Sequence, residues 1–181
     1  MPNYVYLGYL CGKVKDKKKL IDSISTLEKK DIFILVIPCW SIIDYSHINH
    51  AILLALRDFK TQEIKARKIS LQILLRFLGE NQIAKALSKI EISDNDPICI
   101  LVITTLKDMK ILDHVKNILL EANAVYNLTK DFICQPDLDK IKALYSIKKE
   151  EINAVSRSDD ERIEHLYKKI ILERIALTFL K

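Results

Sequence analysis

Two histidines, His47 and His50, lie three residues apart on a predicted helix and could offer two imidazole nitrogens to one metal ion. A zinc site needs three or four ligands, and no other His or Cys lies near this pair in the sequence. They are read as partly buried helix side chains, and His114 and His165 as lone helix residues. The four cysteines, Cys11, Cys39, Cys99 and Cys134, include no Cys-x-x-Cys pair. Cys11 and Cys99 fall in strand-like apolar runs, where a free thiol packs as a small hydrophobe. The expectation is four reduced cysteines in a reducing compartment. Ser70 with Gln82 has no base beside it, so a nucleophile is not expected. Asp94 and Asp96 are read as turn formers. Only three glycines occur and none builds a phosphate-binding loop. The residues thus predict no catalytic site, no cofactor and no metal.

What remains is a surface for partners. Between Arg57 and Arg76 six basic residues face two acidic ones, which accounts for four of the chain's five net positive charges. A solvated loop would explain this composition, and so would contact with phosphates. In the segment from Ser70 to Leu78, Leu71, Leu74, Leu75 and Leu78 cluster on one side of a helix turning about 100° per residue. Ile73 and Phe77 point the opposite way, with Gln72 and Arg76 between. A surface helix with one buried face should not carry Ile and Phe on its outer side. Either the helix is sandwiched inside the fold, or its outer row is a partner surface.

These residues must be positioned by the elements around them. Tyr4 to Cys11 reads as a strand with Gly8 marking a bulge or a close contact and Gly12 ending it. Asp16 to Lys30 is an amphipathic helix with Leu20, Ile24 and Leu27 inward. Ile32 to Ile37 is a buried strand stopped by Pro38. Asp44 or Ser46 caps a helix running to about Phe59. Gly79 closes the helix from Ser70 to Leu78, and another helix covers Asn81 to Ile90. Ser93 to Pro97 is a turn, and Ile98 to Thr104 a third strand. Thr105 caps a helix to Ala122, Val125 to Cys134 is extended, and short helices span Pro136 to Leu144 and Lys148 to Val155. Ser158 and Glu161 make a capping box for a last helix whose apolar residues run from Ile163 to Leu180. The expected fold is α+β, a two-layer arrangement of helices on a mixed, mostly antiparallel sheet of four or five strands.

At 181 residues, 49% of them hydrophobic and 29% charged, the chain is expected to be a single domain with an ordinary core. No signal peptide is read at its start, and no apolar run is long enough to cross a bilayer.

The stretch from Ser46 to Leu87 also carries a resemblance. His47-Ile48-x-x-Ala51 with Ala55, Ser70-Leu71-x-Ile73-Leu74-Leu75, and Gly79-x-x-Gln82-Ile83-x-x-Ala86 resemble the small regulatory subunit of the KEOPS complex, the PRPK-binding protein or TPRKB family. Leu138-x-x-Ile141-x-x-Leu144-Tyr145-x-Ile147 and Leu172-Glu173-Arg174-Ile175-Ala176-Leu177 continue it in order. The resemblance implies a non-catalytic subunit, cytoplasmic, or nuclear in a eukaryote. It implies docking on the kinase-like ATPase subunit of a complex that installs threonylcarbamoyl on tRNA, an indirect link to the transferase subunit, and binding of the tRNA 3′ CCA end. On this reading the partner-binding row is Ile69, Ile73 and Phe77. The RNA-binding candidates are Lys60, Lys65, Arg67, Lys68 and Arg76. Gln82 has a donor and an acceptor for a base edge, though helix capping would equally occupy it. Two rivals stay open: a protein-binding scaffold without RNA contact, and an enzyme with an unrecognised site.

Overall fold

The structure, a computed structural model, describes residues 4–106, 108, 110–158 and 160–179. Four strands form one antiparallel sheet in the order β2-β3-β1-β4: β1 (Val5–Val14), β2 (Ile32–Pro38), β3 (Pro97–Thr104) and β4 (Val125–Thr129). The helices are α1 (Lys17–Glu28), α2 (Tyr45–Thr61), α3 (Ile69–Leu78), α4 (Ile83–Lys89), α5 (Lys110–Glu121), α6 (Leu138–Leu144), α7 (Lys149–Val155) and α8 (Ile163–Leu177). The fold is α+β, with helices packed on an antiparallel sheet.

The helices are dealt to both faces of the sheet, so the expected two layers become three. β3 shows why. Ile98, Ile100 and Val102 alternate with Cys99, Leu101 and Ile103, and all six are fully buried. Successive strand side chains point to opposite faces, so a run apolar at every position needs a cover on each side. The first set packs with Leu20 and Leu27 of α1 and Ile111, Val115 and Leu119 of α5. The second packs with α2, α3, α6 and α8.

Local signals explain the boundaries. The Asp16 carboxylate accepts the Lys19 N–H, and the Asp44 carboxylate accepts the His47 N–H. Gly79 takes φ +62° and ends α3, as glycine does without a Cβ penalty. Gly8, at φ +147°, lies at the register shift between β1 and β3.

Several expectations change. Gly12 does not end β1; the strand continues to Val14, with β4 running close against it. α5 starts at Lys110, not near Thr105. The Ser158–Glu161 capping box is absent: α8 begins after Arg162, and the Glu161 carboxylate accepts the Arg157 N–H and pairs with Lys169. Leu180, the last apolar position expected of that helix, lies outside the described residues. The cysteines are not all reduced, because Cys39 and Cys134 are joined in a disulfide across 95 residues of sequence. No helix among the described residues is long and apolar enough to cross a membrane.

Gly12 sets a local limit on the sheet. A Cβ there would lie 2.9 Å from the Tyr126 carbonyl oxygen, and backbone cannot yield as a side-chain tip can. Gly12→Ala should push β4 outward and cost about 1–3 kcal/mol, the usual range for overpacking. Urea unfolding checks the loss, and amide exchange should show it concentrated in Val125–Thr129.

Candidate interaction surface

Asp58 stands near the C-terminal end of α2 with its side chain wholly buried. Three donors satisfy it. Arg76 Nε donates to Oδ2 at 2.7 Å, Arg76 Nη2 to Oδ1 at 2.5 Å, and Gln72 Nε2 to Oδ2 at 2.7 Å. The planar guanidinium fits a carboxylate through two parallel bonds. Its remaining reach is used as well. Arg76 Nη1 donates to the Ile175 carbonyl in α8, and the guanidinium lies 3.8 Å from the Phe179 ring centroid.

The other end of Gln72 holds the loop. Its Oε1 accepts the N–H groups of Lys65 and Ala66, at 3.0 and 2.9 Å. Gln62 reverses the chain after α2 at φ +64°, and Ala66 is tucked into the core. Between these fixed points Lys65, Arg67 and Lys68 are exposed, as is Lys60 on the last turn of α2. The backbone of the basic loop is therefore tied from beneath while its cations face solvent. Lys68 is 2.8 Å from Glu28 of α1, an exposed pair of the kind worth at most about 1 kcal/mol.

The structure therefore corrects part of the expected site. Arg76 is no surface cation; it is 1% exposed and committed to Asp58. Ile69, Ile73 and Phe77 are fully buried and line no surface. The sandwiched alternative is what the fold adopts: α3 packs against α2, β2, α4 and α8 together. Gln82 is exposed at the N-cap of α4 without a side-chain capping bond. It sits beyond the other end of α3 from the basic loop, roughly 15 Å away by helix length.

His47 closes the far end of α3. Its ring stacks on Phe77 at 4.1 Å, and its Nε2 is 3.1 Å from the Phe77 carbonyl oxygen, which also accepts the Tyr145 hydroxyl at 2.6 Å. The last carbonyls of a helix lack intrahelical partners, and these two side chains supply them. Burial keeps the imidazole neutral, pulling its pKa down to about 4. His47 is a structural residue, in line with the sequence reading.

A second surface feature has little signal in the sequence. An apolar groove runs beside the open edge of β2, lined by Ile21 and Ile24 of α1, Val36 of β2, and Leu87, Ile90 and Ile92 in and after α4. Ile21 and Leu87 are each more than half exposed. The one hint is that Ile21 lies off the α1 stripe. The Lys68–Glu28 pair borders the neighbouring concavity, which shares Val36, Leu87, Ile90 and Ile92 with the groove. The basic loop and the apolar groove are thus contiguous.

The family model described as kinase binding protein CGI-121 matches residues 12–178, nearly the whole chain. No curated protein matches the chain.

Removing one partner of a buried ion pair leaves the other charge uncompensated. Asp58→Ala should cost about 3–5 kcal/mol, and Arg76→Ala a similar amount. The double change to Asp58→Leu with Arg76→Met should cost less than either single change. Thermal melts of the three variants check the order.

Proposed function

The chain belongs to the kinase binding protein CGI-121 family, that of the PRPK-binding protein, and from that membership we propose that it is the non-catalytic regulatory subunit of a KEOPS-like tRNA-modifying complex. Binding a kinase is the family's described property. The finer reading is that the partner is the kinase-like ATPase subunit, with the threonylcarbamoyl transferase subunit reached indirectly, and that this subunit also holds the tRNA 3′ CCA end. A protein of this role works in the cytoplasm, or in the nucleus of a eukaryote.

The observation that supports the RNA part is the tethered loop of residues 62–68. Long basic side chains on a fixed backbone lose less freedom on binding than the same side chains on a free one. Lys60, Lys65, Arg67 and Lys68 are the phosphate contacts on this reading. Ile64, 40% exposed among them, offers an apolar face to an unstacked base, the mixture that single-stranded nucleic acid favours. Gln82 is placed apart from this cluster and would read a base only at the far end of the bound strand. The kinase would dock on the groove around Ile21 and Leu87. Its exposed aliphatic side chains form a centre that a partner can desolvate, with the Lys68–Glu28 pair at the rim.

Two measurements test the reading. Arg67→Glu with Lys68→Glu should weaken tRNA binding and lower the log–log salt slope by about 0.7 for each phosphate of the single strand that is no longer neutralised. Kinase capture should fall far less than tRNA binding, because Lys68 borders the groove only at its rim. Wild-type protein that binds tRNA trimmed of its 3′ end as tightly as intact tRNA would remove the CCA end as the ligand. Ile21→Glu with Leu87→Glu should abolish kinase capture while leaving the melting temperature within a few degrees, since both side chains are already half in water. Undiminished capture would place the kinase elsewhere.

A further inference from the structure

All four cysteines of the chain meet at one place. Cys11 in β1 and Cys99 in β3 are cross-strand partners. Cys39 follows β2, in which Ile37 pairs with Cys99. Cys134 comes from the irregular segment after β4. The sulfurs of Cys11, Cys99 and Cys134 all lie within 4.8 Å of one another, with Cys11 and Cys134 at 4.0 Å, and Cys134 carries the bond to Cys39. A disulfide needs two cysteines. It does not explain why the other two point their sulfurs at it from neighbouring strands.

We propose that these four cysteines form a binding site for one soft divalent cation of the zinc class when the Cys39–Cys134 bond is reduced. A metal–sulfur distance of about 2.3 Å in a tetrahedron sets the sulfurs about 3.8 Å apart. Cys11 and Cys134 already stand close to that separation, and Cys99 needs a shift of at most about 1 Å. Cys39 and Cys134 must part once reduced, which rotation about their side-chain bonds can supply. Four sulfur donors in a tetrahedron select zinc over the oxygen-preferring cations. The sheet supplies rigidity through Cys11 and Cys99, both fully buried, while Cys134 is partly exposed and offers the way in.

The two states exchange with a balanced count. A dithiol reductant transfers two electrons and two protons to the Cys39–Cys134 bond and becomes a disulfide itself. The four thiols then give up four protons to solvent as the cation binds. Oxidation by a disulfide of the same class reverses the sequence and removes two ligands from the metal.

The test uses the full chain, reduced with a dithiol, freed of it without air, and titrated with Co²⁺ as the probe. The expected result is saturation at one Co²⁺ per chain, with sulfur-to-cobalt charge-transfer absorption and the intense visible bands of a tetrahedral site, both abolished on adding Zn²⁺. The oxidised chain should bind none. Zn²⁺ should also shield all four thiols of the reduced chain from alkylation. Cys11→Ser and Cys99→Ser, which leave the disulfide pair intact, should each lose the cobalt bands while still forming Cys39–Cys134 on oxidation. Absence of the bands in reduced wild-type protein, or their persistence in both serine variants, would overturn the site. Should the variants not fold, the wild-type titration and the alkylation pattern decide by themselves.

Discussion

The carboxylate of Asp58 has no water to turn to, and the surface on one side of the protein is arranged by what it needs. A buried charge is costly unless it is paired and its lone pairs are filled. Arg76 and Gln72 do both. They lie four apart in sequence and so share one side of α3, which fixes the rotation of that helix against α2. The same contacts reach further. Arg76 extends to α8 through the Ile175 carbonyl, and Gln72 extends to the backbone of the basic loop. One ion pair therefore sets the position of two helices and the basic loop. A purely apolar core would fill the space as well but would leave the Lys65 and Ala66 N–H groups without their shared acceptor, Gln72 Oε1.

This gives α3 an unusual character. Its residues from Gln72 to Leu78 are all buried, which makes it a central rod and not a surface helix. Such a rod has two ends to satisfy. Its N-terminal half meets the loop through Gln72, and its C-terminal half ends on Gly79 with the Phe77 carbonyl taken up by His47 and Tyr145. His47 comes from α2 and Tyr145 from the end of α6, so the closure joins three parts of the chain. The neutral imidazole fits this role. A protonated ring stacked on Phe77 would bring a charge into a site where Nδ1 has no partner.

Much of this is legible in the sequence, and the failures have a common cause. The three long strands, the N-cap at Asp44 and the C-cap at Gly79 are local signals, and each stands close to its expected place. Helical periodicity also separates Leu74 and Leu75 from Ile73 and Phe77. It cannot say whether one side or every side is covered, because the period belongs to α3 alone and the covers, α2, α4 and α8, are separate elements whose docking it does not encode. Composition groups Arg76 with the loop cations for the same reason: its partner Asp58 is 18 residues away. The disulfide joins positions 95 apart, and no spacing rule points to it. The resemblance supplies the family and the kinase but cannot tell buried motif residues from exposed ones. Many residues of its motifs, Ile73 and Leu75 among them, are core, whereas Gln82, Glu173 and Leu177 are exposed.

The motif residues of α3 hold a scaffold together, and the surface they support lies beside them. At one end of α3, Lys68 meets Glu28 across the border between α1 and the loop, so the basic loop and the apolar groove form one continuous face. On the proposed function two partners of different chemistry would sit side by side, a polyanion on the lysines and an apolar protein surface on Ile21 and Leu87. Each would bury part of the same Lys68–Glu28 pair. A phosphate that drew Lys68 away would leave Glu28 unpaired at the rim of the groove. A protein partner carrying a cation at that rim would release Lys68 in turn. The geometry thus links the two surfaces through a single exposed ion pair, weak enough to be exchanged.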